Sequence, residues 1–170
     1  LDLITPATEV SDELLGIPSF EVPDLSKLFS QEKIILKNLK KVFLMLAGAG
    51  IKKFGEKLEK HQQILMAISD ILIEIYMVES ALLRTEKNCS RYGEESQKEQ
   101  IAMTQLYLYQ AVDIVQRKAK EAIVSFSDGD EQKGLLMGLK RFTKYYEFPN
   151  VVKLRNTIAD KLKEENDYCF

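Results

Sequence analysis

Few residues in this chain have the chemistry to act on a substrate. One histidine (His61), two cysteines (Cys89 and Cys169), serines 80, 90 and 96, the glutamates Glu74, Glu79 and Glu86, and the stretch Gly48-Ala49-Gly50-Ile51-Lys52-Lys53 make up the candidates. A lone imidazole excludes every metal or catalytic scheme that needs two. Leu58 stands three residues before His61, where the Glu-x-x-His pair of a di-iron bundle needs a glutamate. His61 shares a face with Ile64 and Ile68, which assigns it a structural place at a helix start or partly buried beside them. No histidine or lysine is spaced to activate Ser80, Ser90 or Ser96. The three glutamates read as charges on solvated helix faces. Cys89 lies near Arg84 and Arg91, which lower a thiol pKa when they face it, but it reads as a spectator. The glycine stretch fails as a dinucleotide loop on two counts. Lys53 stands where the third glycine belongs, and the preceding residues are helical where the motif needs a strand. No catalytic, cofactor-binding or metal-binding residue is assigned.

Charge layout is the feature left over. Residues 31–61 carry Lys33, Lys37, Lys40, Lys41, Lys52, Lys53, Lys57 and Lys60 against Glu32, Glu56 and Glu59. Several of these lysines lie opposite the apolar stripe of their helix, as on a basic helix that rests on an anionic membrane surface or meets an acidic partner. Residues 1–30 hold six acids and one lysine, an equal and opposite charge that can neutralise that face within the chain.

The elements that position these residues are helices. Three of the four prolines (Pro6, Pro18, Pro23) fall in residues 1–30, so this part is expected to be an extended arm with one helical turn around 11–15. Asp24 or Ser26 is placed to cap the helix that follows. From Leu28, the residues Ile35, Leu39, Val42, Leu46 and Ala49 recur at helical spacing, flanked by Leu36, Phe43, Gly50 and Phe54. Glycines within this helix imply close approach of a neighbouring backbone. A second helix over 61–91 carries the seam Ile64, Ile68, Ile71, Ile75, Val78 and Leu82, thickened by Leu65, Leu72 and Leu83, and closed by Tyr92-Gly93. A third over 95–126 alternates fours and threes through Leu108, Val112, Val115, Ala119, Ala122 and Phe126. A shorter fourth carries Leu135, Leu136, Leu139, Phe142 and Tyr146, and a last one over 151–164 carries Val151, Leu154, Ile158 and Leu162. No segment sustains a period of two. The expected fold is all-α: an antiparallel four-helix-type bundle over 31–170, a single domain with one or two shorter C-terminal helices, preceded by the acidic arm 1–30.

Composition agrees. Of 170 residues 45% are hydrophobic and 29% charged, and only 12 are glycine or proline, so turns are scarce and helices long. The longest apolar or glycine run, 42–51, is far too short to span a bilayer. Two cysteines make no disulfide framework, which points to a reducing, cytoplasmic setting. A net charge of −2 predicts no nucleic-acid partner. The first residue is Leu1, as expected of a processed product or a piece of something longer.

Two strings carry a family resemblance: Ala47-Gly48-Ala49-Gly50-Ile51-Lys52-Lys53-Phe54-Gly55, and the sixteen residues from Leu72 to Lys87, in which Glu79-Ser80-Ala81-Leu82-Leu83-Arg84-Thr85-Glu86 is distinctive. Both resemble the extra C-terminal helical domain of long acyl-CoA dehydrogenases, the bacterial relatives of the very-long-chain enzyme, and the similarity covers roughly residues 10–165. The resemblance implies an FAD enzyme that removes two hydrogens across the α–β bond of a fatty acyl-CoA in β-oxidation. The catalytic core's Gln-x-x-Gly-Gly-x-Gly-Tyr signature has no counterpart here, so the resemblance is to the appended domain alone. It implies no cofactor in this chain and FAD in the parent enzyme. The implied partners are the catalytic core and further copies in a homo-oligomer, in the cytoplasm or against the inner face of the membrane. The rival readings are a free-standing adaptor that binds an amphipathic helix, and a peripheral membrane binder acting through residues 33–60.

Overall fold

The computed structural model describes residues 3–16 and 21–167 and contains six α-helices. These are α1 (Ile4–Leu15), α2 (Ser30–Phe54), α3 (Gln62–Tyr92), α4 (Lys98–Phe126), α5 (Gly129–Phe142) and α6 (Val151–Glu165), with 3-10 turns at Gly55–Lys60 and Glu95–Gln97. No strand occurs among the described residues. Short connections make successive long helices antiparallel neighbours. Helices α2, α3 and α4 pack around one core, α5 closes it against α2 and α4, and α6 lies along α4 from outside. The all-α bundle read from periodicity is the observed architecture.

The seams lie where their spacing puts them. Ile64, Ile68, Ile71, Ile75, Val78 and Leu82 of α3 are buried, as are Leu108, Val112, Val115, Ala119, Ala122 and Phe126 of α4. At the end of α3, Gly93 takes a positive φ of 86° and its N–H reaches the Cys89 carbonyl at 2.9 Å, a conformation that penalises a side chain.

Four expectations need correction. The arm contains a three-turn helix, not one turn. Pro6 sits in the first turn of α1, where its missing N–H costs no internal hydrogen bond, and Ala7, Val10 and Leu14 form a stripe that packs on the core. Pro18 lies outside the described residues. Neither Asp24 nor Ser26 caps α2. Phe29 holds that position in a left-handed conformation, kept there by burial of its ring, while Asp24 and Ser26 bond to each other in the preceding turn. Leu72 and Leu83 do not thicken the inner seam of α3 but point outward. Tyr146 is exposed, and its neighbour Tyr145 is buried in its place, because α5 stops at Phe142 and the chain turns before either tyrosine.

The glycines inside helices divide by what surrounds them. A Cβ on Gly48 would stand 2.6 Å from the Ala7 Cβ, so a small residue on each helix is what lets α1 lie against α2. A Cβ on Gly134 in α5 would meet nothing within 4 Å. Gly48→Ala is therefore expected to cost about 1 kcal/mol or more and to release α1. Gly134→Ala should stabilise by up to about 1 kcal/mol, the usual helix preference for alanine. Paired thermal melts, with limited proteolysis at the α1 junction, check both signs.

Candidate functional site

Among the described residues, the bundle keeps the candidate groups apart. His61 is exposed at the residue before α3, and its ring stacks on Phe54 with centroids 3.8 Å apart. It precedes the helix as expected, but it is not partly buried: it stands on the outside, against Phe54. Cys89 is buried, and burial, reinforced by the charges of Glu94 and Glu86, pushes its thiol upward. Arg84 and Arg91 do not activate it. Cys169 lies outside the described residues. The Ser96 hydroxyl donates to the Tyr92 and Gly93 carbonyls and finishes α3, while Ser80 and Ser90 sit on the exposed surface. Gly48 to Lys53 are helical throughout, so their amides are already bonded within α2. No group of three or more His, Cys, Asp or Glu residues able to hold a metal occurs among the described residues.

The glutamates are used to hold helices together. Glu79 pairs with Lys40 at 2.6 Å, and Glu86 pairs with Lys33, tying α3 to α2. Glu74 accepts the Tyr107 hydroxyl at 2.8 Å, tying α3 to α4. Burial, and then that bond to a carboxylate, push the Tyr107 phenol up to about 12.

The eight lysines divide into two groups. Lys33, Lys37, Lys40 and Lys41 are all paired: Lys33 and Lys40 to α3, Lys37 to Glu21 at 2.9 Å, and Lys41 to Glu13 at 2.7 Å. The acidic N-terminal segment thus neutralises part of the basic face. Lys52, Lys53, Lys57 and Lys60 are exposed at the end of α2 and the following turn, and make no ion pair among the described residues. No helix is long and apolar enough to cross a membrane.

A clamp among α1, α2 and α5 is invisible to periodicity. Glu13 faces Lys41 and also Arg141, whose Nη1 donates to the Glu13 carbonyl at 3.1 Å and whose Nη2 stands 3.7 Å from the carboxylate. Both cations flank the Phe142 ring, 5.4 and 5.8 Å from its centroid. The only hint in the sequence is Arg141 beside an aromatic residue. Near this corner, the buried Tyr145 hydroxyl has no hydrogen-bond partner among the described residues. Burial, then the charges of Asp113 and Glu32, push its phenol up.

Removing that orphaned hydroxyl by Tyr145→Phe is expected to raise stability at neutral pH by up to about 1 kcal/mol, since a buried polar group without a partner costs free energy. The two raised phenols also set an alkaline limit. A folded-state pKa above the unfolded value of about 10 contributes stability that is complete below pH 10 and lost as pH rises through the folded value, near 12 for Tyr107. Thermal unfolding followed from neutral pH to about 12 should show that loss, and Tyr107→Phe should flatten part of it.

Fold and surface define an all-α bundle domain in which Glu74, Glu79 and Glu86 tie neighbouring helices together. Residues 38–141 match the family model described as "Acyl-CoA dehydrogenase, C-terminal domain", and the chain belongs to that family. A probable acyl-CoA dehydrogenase of Bacillus subtilis (strain 168) is 30% identical over 168 residues, covering 99% of this chain and 28% of that protein. The crystal structure of an acyl-CoA dehydrogenase complexed with FAD from Bacillus anthracis matches with a TM-score of 0.92 and 32% identity, over 100% of this chain and 28% of that one. The chain thus spans little more than a quarter of the length of these relatives.

Proposed function

We propose that this chain is the non-catalytic assembly and docking domain of an FAD-dependent acyl-CoA dehydrogenase. On this reading the α,β-dehydrogenation of a fatty acyl-CoA is carried out by polypeptide outside these 170 residues. The observation that carries the proposal is the joint one: essentially the whole chain aligns with a quarter of dehydrogenases several times its length, and the three glutamates that could have done acid–base work are engaged between helices.

The residues present do not fit FAD. A dinucleotide pyrophosphate seeks free amides at a helix N-terminus. Here the first turns of α2, α4 and α5 carry Glu32, Glu99, and Asp130 with Glu131, so carboxylates already occupy the positive ends of those helices; the first turns of α1, α3 and α6 carry no acid, but no glycine-rich loop leads into them and Asn150 already caps α6. The glycines that might have cradled phosphate lie in mid-helix. No step of the reaction is therefore routed through this chain.

The test uses the purified chain and, separately, the longer polypeptide that carries it. The chain mixed with FAD and then desalted is expected to retain no flavin and to reduce no acceptor dye in the presence of an acyl-CoA. Deleting the domain from the longer polypeptide should leave flavin bound while altering assembly. Stoichiometric flavin on the isolated chain would overturn the proposal.

A further inference from the structure

The corner where α1, α2 and α5 meet holds more positive charge than it balances. The side chains of Lys41 and Arg141 are only 20% and 16% exposed, and the two share one carboxylate, that of Glu13. A cation withdrawn from water is costly unless it is paired and its donors are used. Arg141 uses Nη1 on the Glu13 carbonyl. Its Nη2 is buried too, stands 3.7 Å from the Glu13 carboxylate, and makes no hydrogen bond among the described residues. Two cations and one carboxylate leave room for a second anion.

A recess of about 340 Å³ lies beside this cluster, and Glu13, Lys41 and Arg141 line it. Asn38 lines it too, three residues before Lys41 and on the same side of α2. Its half-buried carboxamide makes no hydrogen bond among the described residues. Other walls are apolar: Ile34 and Ile35 from α2, Phe142 at the end of α5, and Tyr145 just beyond it. Val22 and Pro23 add a further wall from the segment before α2, which Lys37 holds through Glu21 at 2.9 Å. Four separate stretches of this chain therefore enclose the recess.

An arginine fork beside an ammonium and an amide suits an oxyanion, because guanidinium N–H groups match the oxygens of a carboxylate or phosphate. Apolar walls next to that head suit a compact ring or branched alkyl body. The volume falls at the small end of the roughly 300–1,000 Å³ of small-molecule sites. A helix or strand from a longer polypeptide needs an open face to lie on, and a recess walled on four sides is not one. A single acidic side chain reaching in would meet the cations but leave the apolar walls unfilled.

We propose that this recess binds a small organic anion, a carboxylate or phosphate head on a compact apolar body. Arg141, Lys41 and Asn38 hold the head, and Ile34, Ile35 and Phe142 pack on the body. The inference does not rest on the assembly role proposed above.

Amide NMR titration of the full chain at low salt tests it, with benzoate and phenyl phosphate as the probes. Saturable shifts are expected around Asn38, Lys41 and Arg141, with a Kd of about 1 mM or below for at least one probe, and the tighter probe identifies the head. Inorganic phosphate and benzyl alcohol, which each lack one half, should bind at least ~10-fold more weakly. Arg141→Gln should weaken the tighter probe ~10-fold or more. Because Arg141 also holds α1, Asn38→Leu serves as the second variant. It leaves Glu13, Lys41 and Arg141 in place, puts an apolar side chain where the head sits, and should weaken binding with the helical circular dichroism unchanged. The longer polypeptide that carries the chain should bind the same probe with similar affinity. Four results would each overturn the proposal: no saturable shift with either probe, a half-probe as tight as the whole, both variants without effect, or binding by the chain that the longer polypeptide has lost.

Discussion

Leu39→Ala is expected to destabilise the chain by about 3–4 kcal/mol, the typical loss when a buried leucine is truncated in a core that cannot collapse around the gap. Leu39 has no exposed surface and lies in the inward stripe of α2 with Ile35, Val42 and Leu46. Its side chain joins the one core cluster that also takes in the inner faces of α3 and α4. Long antiparallel helices cannot all move inward at one level without losing register elsewhere, so the cavity persists. At a urea dependence of about 2 kcal/mol per molar, the unfolding midpoint should fall by roughly 1.5–2 M. Leu162→Ala, on the partly exposed face of α6, serves as the control and should change the midpoint little. Equal shifts for the two would mean that the core is not where the burial pattern puts it.

Thr85→Val should cost about 2 kcal/mol for a different reason. Thr85 of α3 and Thr104 of α4 are both buried, and their hydroxyls are hydrogen-bonded to each other at 2.8 Å. Valine keeps the shape of threonine but leaves the Thr104 hydroxyl without its partner. Thr85→Val/Thr104→Val removes both polar groups and is expected to return to within about 1 kcal/mol of the parent, because two matched apolar groups carry no desolvation debt. Urea unfolding of the four proteins closes the cycle, and additive single effects would show that the hydroxyls act independently. The pair also defines the register of α3 on α4, since sliding one helix by a turn would strand both hydroxyls in an apolar seam.

Periodicity alone carried the fold class a long way. Five of the helices, the inner stripes of α3 and α4, and the stop at Gly93 follow from residue types and spacing, because a helix repeats every 3.6 residues wherever it packs; the proline at 149 suggested a stop for α5 that the structure places earlier, at Phe142. It failed at choices between equivalents. Leu72 and Leu83 recur as regularly as Ile71 and Leu82, and one helix in isolation has no core side. Tyr145 and Tyr146 are adjacent and alike, and only the end of α5 decides which ring turns inward. The N-terminal helix was hidden by proline count, since a proline in a first turn is harmless where one in mid-helix is not.

That the one histidine has no second imidazole to work with was legible, because it is a property of the sequence. The packing of the helices on one another was not. Glu13 meets Lys41 and Arg141, and Glu79 meets Lys40, across gaps of tens of residues that no local pattern encodes. Which lysines find a carboxylate among the described residues, and which apolar residues of α3 face outward, are decided by the approach of whole helices. Local sequence sets what each helix can bury; only the packed bundle determines what it has buried and what it still presents.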